Sequence, residues 1–289
     1  MHQKLTEPPM LSYRHAYHAG NHADLLKHYL LSRVLAYYNN KQKPYDYIDT
    51  HAGAGQYDLD GDYAQKNREY DSGFTRLLAA TSLPAALATW RDELRALLPA
   101  ANTYPGSALI AAKTLLPAGK LYLHELHPAD HQALMDNLRP LQLGRRLHIA
   151  QSDGFSGLIA HLPPASRRAV ILIDPPYEQK SDYQTVLDTL IAAYKRFASG
   201  CYLIWYPCLA RRESRRFPAE LHTHFPHDYL RAELHIRPAS DDYGMHGSGL
   251  YIINPPYTLP AELETTLPAL QRLCAETSGG QYILEADIR

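Results

Sequence analysis

Eight short apolar runs, most of them separated by segments of helical periodicity, limit what this chain can fold into. They are YDYIDT (45–50), LYLHE (121–125), LHIAQ (147–151), AVILID (169–174), CYLIWY (201–206), AELHI (232–236), LYIIN (250–254) and YILEA (282–286). Runs apolar nearly throughout, rather than at every second residue, are expected of strands buried on both faces. Between them, NHADLLKHYLLSRVLAYY (21–38) places Leu25, Leu26, Tyr29, Leu30, Val34 and Leu35 at helical spacing, with Asn21 as N-cap. SDYQTVLDTLIAAYKRF (181–197) does the same with Tyr183, Val186, Leu187, Leu190, Ile191 and Tyr194, and Ser181 with Gln184 reads as a capping box. The expectation is an α/β fold, doubly wound, with a mostly parallel sheet covered on both faces.

The 289 residues suffice for one large α/β domain with an insertion or for two modest domains, and 45% hydrophobic with 20% charged residues excludes a disordered chain. No apolar run approaches the ~20 residues that span a bilayer, and the first ten residues hold no signal-like stretch, so a cytoplasmic protein is expected. Cys201, Cys208 and Cys274 lack CxxC or metal-ligand spacing, which points to reduced, structural thiols. A net charge of −1 gives no overall attraction for a polyanion. Nucleic acid would have to be met locally, by Arg145 and Arg146, Arg167 and Arg168, or Arg211, Arg212, Arg215 and Arg216 of RRESRR.

In a doubly wound sheet ligands lie beyond the carboxyl ends of the strands. Asp49, Glu125, Asp153 and Asp174 all stand at or just past the end of a run, although Asp153 before GFSGLI also reads as a helix N-cap. The acid ending the second strand normally follows the glycine turn by ~20 residues. Here Gly55 and Glu125 are far further apart, and residues 56–103 contain two helical patterns, so a small inserted helical subdomain is expected there. The main domain would then comprise 10–55 and 104–289, with residues 1–9 an N-terminal extension.

GAGQYD (53–58) lacks the third glycine of the dinucleotide fingerprint, which disfavours a nicotinamide enzyme. A class I methyltransferase needs less: a glycine turn, an acid for ribose hydroxyls and an acid for an adenine amine, the places held by Asp49 to Gly55, Glu125 and Asp153. DPPY (174–177) suggests the reaction. An exocyclic nucleobase amine is a poor nucleophile because its lone pair is delocalised, so a catalyst must draw its hydrogens out of the ring plane with two acceptors. Asp174 is an acceptor when ionised, Pro175 offers a carbonyl, Pro176 withholds an N–H, and Tyr177 offers a face for the base. NPPY (254–257) repeats the pattern, but if the strand before it runs backwards, Asn254 leaves the sheet at the opposite edge. His18 and His22 have metal-pair spacing without an intervening Glu, so no metal is expected; with His15 and His28 they suggest a polar, aromatic lip over the pocket.

In order, LSYRHAYHAGNHADLLKH, DTHAGAG, YPGS, ELHP, SDGF, SRRAVILIDPPYE and WYP resemble the bacterial 23S ribosomal RNA adenine-N6 methyltransferases. The resemblance runs from Met10 to near the C-terminus. It implies a seven-stranded class I methyltransferase sheet with a helical insertion, S-adenosyl-L-methionine as donor, and protein-free 23S rRNA as substrate, with no obligate protein partner. By motif it implies that His28, His51, Gly53, Ser107, Glu125, Asp153 and Gly154 contact the cofactor, as does Asp174, which would also accept the proton beside Pro175 and Tyr177. Tyr13 would contact the RNA. Two rivals use the same residues: a DNA adenine-N6 methyltransferase, against which no long segment remains for a target-recognition domain, and a catalytically idle RNA-binding module.

Overall fold

The computed structural model describes residues 13–98, 100–240 and 244–289, so the extension expected over 1–9 lies outside the described residues. The strands are β1 (Asp46–Asp49), β2 (Gln56–Asp58), β3 (Thr103–Pro105), β4 (Leu121–His124), β5 (Leu147–Ala150), β6 (Ala169–Ile173), β7 (Cys201–Cys208), β8 (Tyr229–His235), β9 (Gly247–Ile253) and β10 (Gln281–Asp287). Among the described residues, eight of them form one sheet in the order β10-β8-β9-β7-β6-β1-β4-β5. From β5 to β7 every pairing is parallel; β9 runs antiparallel to both β7 and β8, and β10 is antiparallel to β8. β8 therefore points the same way as β7. All eight apolar runs become strands of this sheet, one more than the seven-stranded sheet implied by the resemblance, with β10 at its edge.

The sheet is buried on both sides, which is why its central strands read as continuous apolar runs. In β6, Val170 and Leu172 enter one core while Ala169, Ile171 and Ile173 enter the other; in β7, Cys201 and Leu203 oppose Tyr202, Ile204 and Tyr206. The first core is covered chiefly by α1 (His22–Asn40), α5 (Ser107–Thr114) and α10 (Leu259–Cys274), with α6 (Pro128–Leu138) toward β5. The second is covered by α7 (Gly154–Ala160), α8 (Ser181–Arg196) and α9 (Arg212–His224). Among the described residues no helix is long and apolar enough to cross a membrane.

Residues 56–103 carry α2 (Asp62–Asn67), α3 (Phe74–Ala79) and α4 (Ala85–Leu97), and the β2–β3 ribbon, which the apolar pattern did not announce, closes their base. The segment is stitched onto α1: Trp90 packs edge-on against Tyr29, ring centres 5.2 Å apart, and its Nε1 donates to Ser32 at 3.1 Å.

Asn21 caps α1 as expected, its Oδ1 accepting from Ala23 N and Asp24 N. The capping box of α8 does not form. Lys180 is already in a helical conformation, so Ser181 lies inside the helix; Asp182 instead accepts from Gln179 N at 2.9 Å, and Gln184 donates to Asp188. Because β9 runs backwards, Asn254 emerges beside the start of β7, where its Nδ2 donates to Ala198 O at 2.8 Å and Gly200 O at 2.7 Å. Its φ of +54° is one that asparagine tolerates and most side chains do not. Asn254→Ala therefore forfeits two hydrogen bonds and strains the backbone, an expected loss of about 2 to 3 kcal/mol by urea denaturation. The opposite rim, where Asp174 stands, should be unchanged.

Candidate active site

The carboxyl ends of β1, β4, β6 and β7 open on one cavity of about 480 Å³, where the sheet order reverses on either side of β1. The residues that the family motifs pointed to line it, namely Tyr13, His28, His51, Gly53, Ser107, Glu125, Asp153, Gly154, Asp174, Pro175 and Tyr177, whereas Asp49, Gly55 and His22 do not.

One half is a glycine-lined cradle. Gly53 and Gly55, which follow β1, have φ of +59° and +73°, and a Cβ on Gly53 would run into the Tyr57 hydroxyl. A Cβ on Gly154, at the start of α7, would strike the Thr50 carbonyl. Glu125, just past β4, accepts from Gly53 N at 2.9 Å and His127 N at 2.7 Å, and burial pushes its pKa up to about 6. Asp153 is both cavity wall and N-cap: burial would raise its pKa, but hydrogen bonds from Ser156 and Phe155 hold it below the ordinary value. His51 is kept neutral, its pKa lowered by burial to about 4, and its Nδ1 meets Thr50 Oγ1 at 2.8 Å. Asp49, read from the sequence as a rim acid, is instead fully buried beneath the cavity. There it accepts from Tyr47 at 2.8 Å and Ser107 Oγ at 2.7 Å, and burial lifts it to about 6.

The other half is ionic. Lys27 Nζ donates to Asp174 Oδ2 at 2.7 Å and to Asp24 Oδ1 at 2.9 Å, with the lysine side chain only 5% exposed. Burial alone would lower the lysine pKa, but the two carboxylates overcome it and hold the ammonium charged. Asp24 is likewise held well below its usual value against burial by His15, Lys27 and His28, with His15 Nε2 at 2.9 Å. His15 Nδ1 in turn meets the Tyr13 hydroxyl at 2.9 Å. For Asp174 burial wins over Lys27 and raises the pKa. Among the described residues no side chain donates to its Oδ1 or to the Pro175 carbonyl.

Tyr177 differs from the free stacking face expected of it. It is 2% exposed with φ of +51°, its hydroxyl donates to Trp205 O at 2.7 Å, and its ring packs on Tyr183 with centroids 4.6 Å apart. Arg211 holds the loop from behind, donating to Tyr177 O at 2.6 Å. The ring is thus packed in place and not a free stacking face, while Trp205, half-buried on β7, shares the cavity wall. His28 is 1% exposed, bonded to the Tyr104 hydroxyl at 2.8 Å and held neutral at a pKa of about 3 by burial.

Lys27 and Asp24 escaped the sequence reading as site residues, while Arg211 entered it only as part of the RRESRR patch and Trp205 only within WYP. A buried Asp24–Lys27 pair at i, i+3 looks like any exposed helix pair until the helix is packed. The histidines of the lip separate: His18 Nδ1 meets Glu69 at 2.8 Å and His15 meets Asp24. Folding also brings Cys208 near Glu233 and His235, a grouping that spacing could not show, but Arg231 and His235 already engage both oxygens of Glu233. Tyr257 of NPPY lies in a separate cavity with Arg33 and Tyr37.

A family model described as Ribosomal RNA large subunit methyltransferase D, RlmJ, matches residues 42–285. The Ribosomal RNA large subunit methyltransferase J of Escherichia coli (strain K12) is 43% identical over 263 residues, 90% of this chain and 93% of that protein. That of Haemophilus influenzae (strain ATCC 51907 / DSM 11121 / KW20 / Rd) is 39% identical over 279 residues, 96% of this chain and 98% of that one. The crystal structure of a protein from Legionella pneumophila str. Philadelphia 1 superposes with a TM-score of 0.83 at 34% identity, covering 93% of this chain and 98% of the other.

A buried carboxyl with a raised folded-state pKa lends stability that is complete below its unfolded value and lost as the pH rises through the folded one. For Glu125 that loss sets in above the ordinary value of 4.5 and is nearly complete once the pH has passed about 6. Between pH 5 and 8 the protein is expected to lose about 1 kcal/mol through this group, a loss absent from Glu125→Gln. Urea denaturation of both proteins at the two pH values measures it; parallel curves would contradict the burial assigned to Glu125.

Proposed function

This chain belongs to the family of ribosomal RNA large subunit methyltransferases described as RlmJ, and on that premise we propose that it methylates the exocyclic N6 amine of an adenine in protein-free 23S rRNA. S-adenosyl-L-methionine supplies an electrophilic methyl group on a sulfonium. The cradle fits such a donor: Gly53 and Gly154 in the wall where side chains would collide with the Tyr57 hydroxyl and the Thr50 carbonyl, Glu125 for hydroxyl groups, and Asp153 at the opposing helix start. Ser107, steadied by Asp49, and neutral His51 and His28 complete the wall proposed to hold it.

The observation that carries the reaction is Asp174 at the end of β6, a residue of the cavity wall whose Oδ2 is anchored by Lys27 while no described side chain donates to its Oδ1. Oδ1 and the Pro175 carbonyl are two acceptors for the two hydrogens of an amine, which draws the nitrogen lone pair out of conjugation. A carboxylate whose pKa burial has raised is also a better acceptor for the proton released once the N–C bond forms. Lys27 keeps that carboxylate oriented and limits charge repulsion from Asp24. Tyr13, hydrogen-bonded through His15 to Asp24, stands in the cavity wall and is the residue assigned here to meet the RNA. We assign the enzyme to the cytoplasm, acting as a monomer.

Asp174→Ala is expected to lower methyl transfer by at least ~10³-fold, since it removes both an acceptor and a proton sink, while RNA binding stays within a few-fold of wild type. Tritiated methyl transfer to protein-free rRNA and to duplex DNA tests the substrate. Labelling confined to DNA would sink the rRNA reading, and undiminished transfer by Asp174→Ala would sink the assigned chemistry.

A further inference from the structure

The arginines of RRESRR take no part in the chemistry above, yet α9 begins at the catalytic rim. It follows β7, whose Trp205 and Pro207, with Leu209 beyond, wall the cavity beside Asp174. Arg211, the residue before its first turn, donates to Tyr177 O at 2.6 Å and to the Tyr183 hydroxyl at 3.1 Å, with its guanidinium 5.2 Å from the Tyr183 ring centre. The helix is thus bound to the loop that carries Asp174.

Beyond Arg211 the arginines turn outward. Ser214, Phe217, Pro218 and Leu221 are buried, which leaves Arg212, Arg215 and Arg216 exposed at i, i+3 and i+4 on one face. Lys180, 74% exposed at the start of α8, comes within 3.6 Å of Glu213, and Arg216 within 3.5 Å of Glu220. Among the described residues Arg212 and Arg215 enter no ion pair. Their position is electrostatically unfavourable in the free protein, because the first turns of a helix are the positive end of its dipole and repel cations. An anion lying across this face would remove that repulsion, and the chain as a whole, at net charge −1, supplies no general attraction for one.

We propose that this face of α9, with Lys180, grips backbone phosphates of the RNA that flanks the target adenine. The proposal rests on the rRNA reading above. An adenine drawn into the cavity must leave its stack, and its flanks have to be pinned nearby for that state to persist. Guanidinium groups suit the task because they bind phosphate through paired hydrogen bonds, fixing register without reading sequence. Arg211 then fixes the distance between the gripped backbone and Asp174.

The test compares wild type with Arg212→Glu/Arg215→Glu on protein-free, in vitro transcribed 23S rRNA, by filter binding between 50 and 200 mM salt and by methyl transfer. Loss of two phosphate contacts should lower the slope of log Kd against log salt by about 1.4 to 1.8 and raise KM for RNA by about 10-fold. kcat at saturating RNA and the affinity for S-adenosylmethionine should not change. Should the charge-reversed protein fail to fold, Arg212→Gln/Arg215→Gln carries the same slope measurement. An unchanged slope and KM, with wild type still methylating rRNA, would overturn the surface and leave the function intact. A reduced slope in a protein whose wild type binds rRNA without methylating it would keep the surface and end the function reading.

Discussion

The buried ammonium of Lys27, shared between Asp24 and Asp174, is the interaction on which the site depends. Three charged groups lie out of water, and they are tolerated because each faces an opposite charge at hydrogen-bond distance. The contact pins the first turns of α1 to the end of β6, elements far apart in sequence. His15 adds a second bond to Asp24, and Gly20 N a third. The inserted segment joins at the same place, where Glu69 accepts from Asn21 Nδ2 at 2.9 Å and meets His18. Losing the lysine would leave two buried carboxylates facing each other, and with them the reason for α1 to sit where it does.

Strand direction separates the two PPY tetrapeptides. Both follow buried strands and both include a residue at positive φ, Tyr177 in one and Asn254 in the other. After β6 the chain emerges where Asp174 shares a cavity wall with Glu125 and Asp153 and meets Lys27. After β9 it emerges at the far edge, where Asn254 spends its amide on the backbone at the start of β7. A cavity wall and a turn thus use the same letters, and the antiparallel pairing of β9 with β7 decides which is which.

Much of the site was legible because its residues stand at strand ends. Asp174, Glu125, Asp153 and the glycines could be placed by counting apolar runs and applying the switch-point rule. Residues that work by contact across the fold were not legible. Asp49 has the right position but points down to serve Ser107, and Tyr177 turns its ring into an aromatic wall with Tyr183 and Phe217. Nothing in periodicity distinguishes an acid that meets ligand from one that supports a neighbour.

The sequence by itself determined the layered α/β class, the helix capped by Asn21, the helical segments between residues 56 and 103 and the place of DPPY at a strand end, because these rest on local periodicity and residue type. Tertiary structure decided the charge partners. Lys27 and Asp24 reach the cavity wall only when α1 is laid across the sheet, and Arg211 becomes a brace for the DPPY loop only when α9 returns beside β7. The physical reason is range: propensity and burial patterns act over a few residues, whereas a buried charge is stabilised by whichever opposite charge the fold brings within about 3 Å, at any separation along the chain.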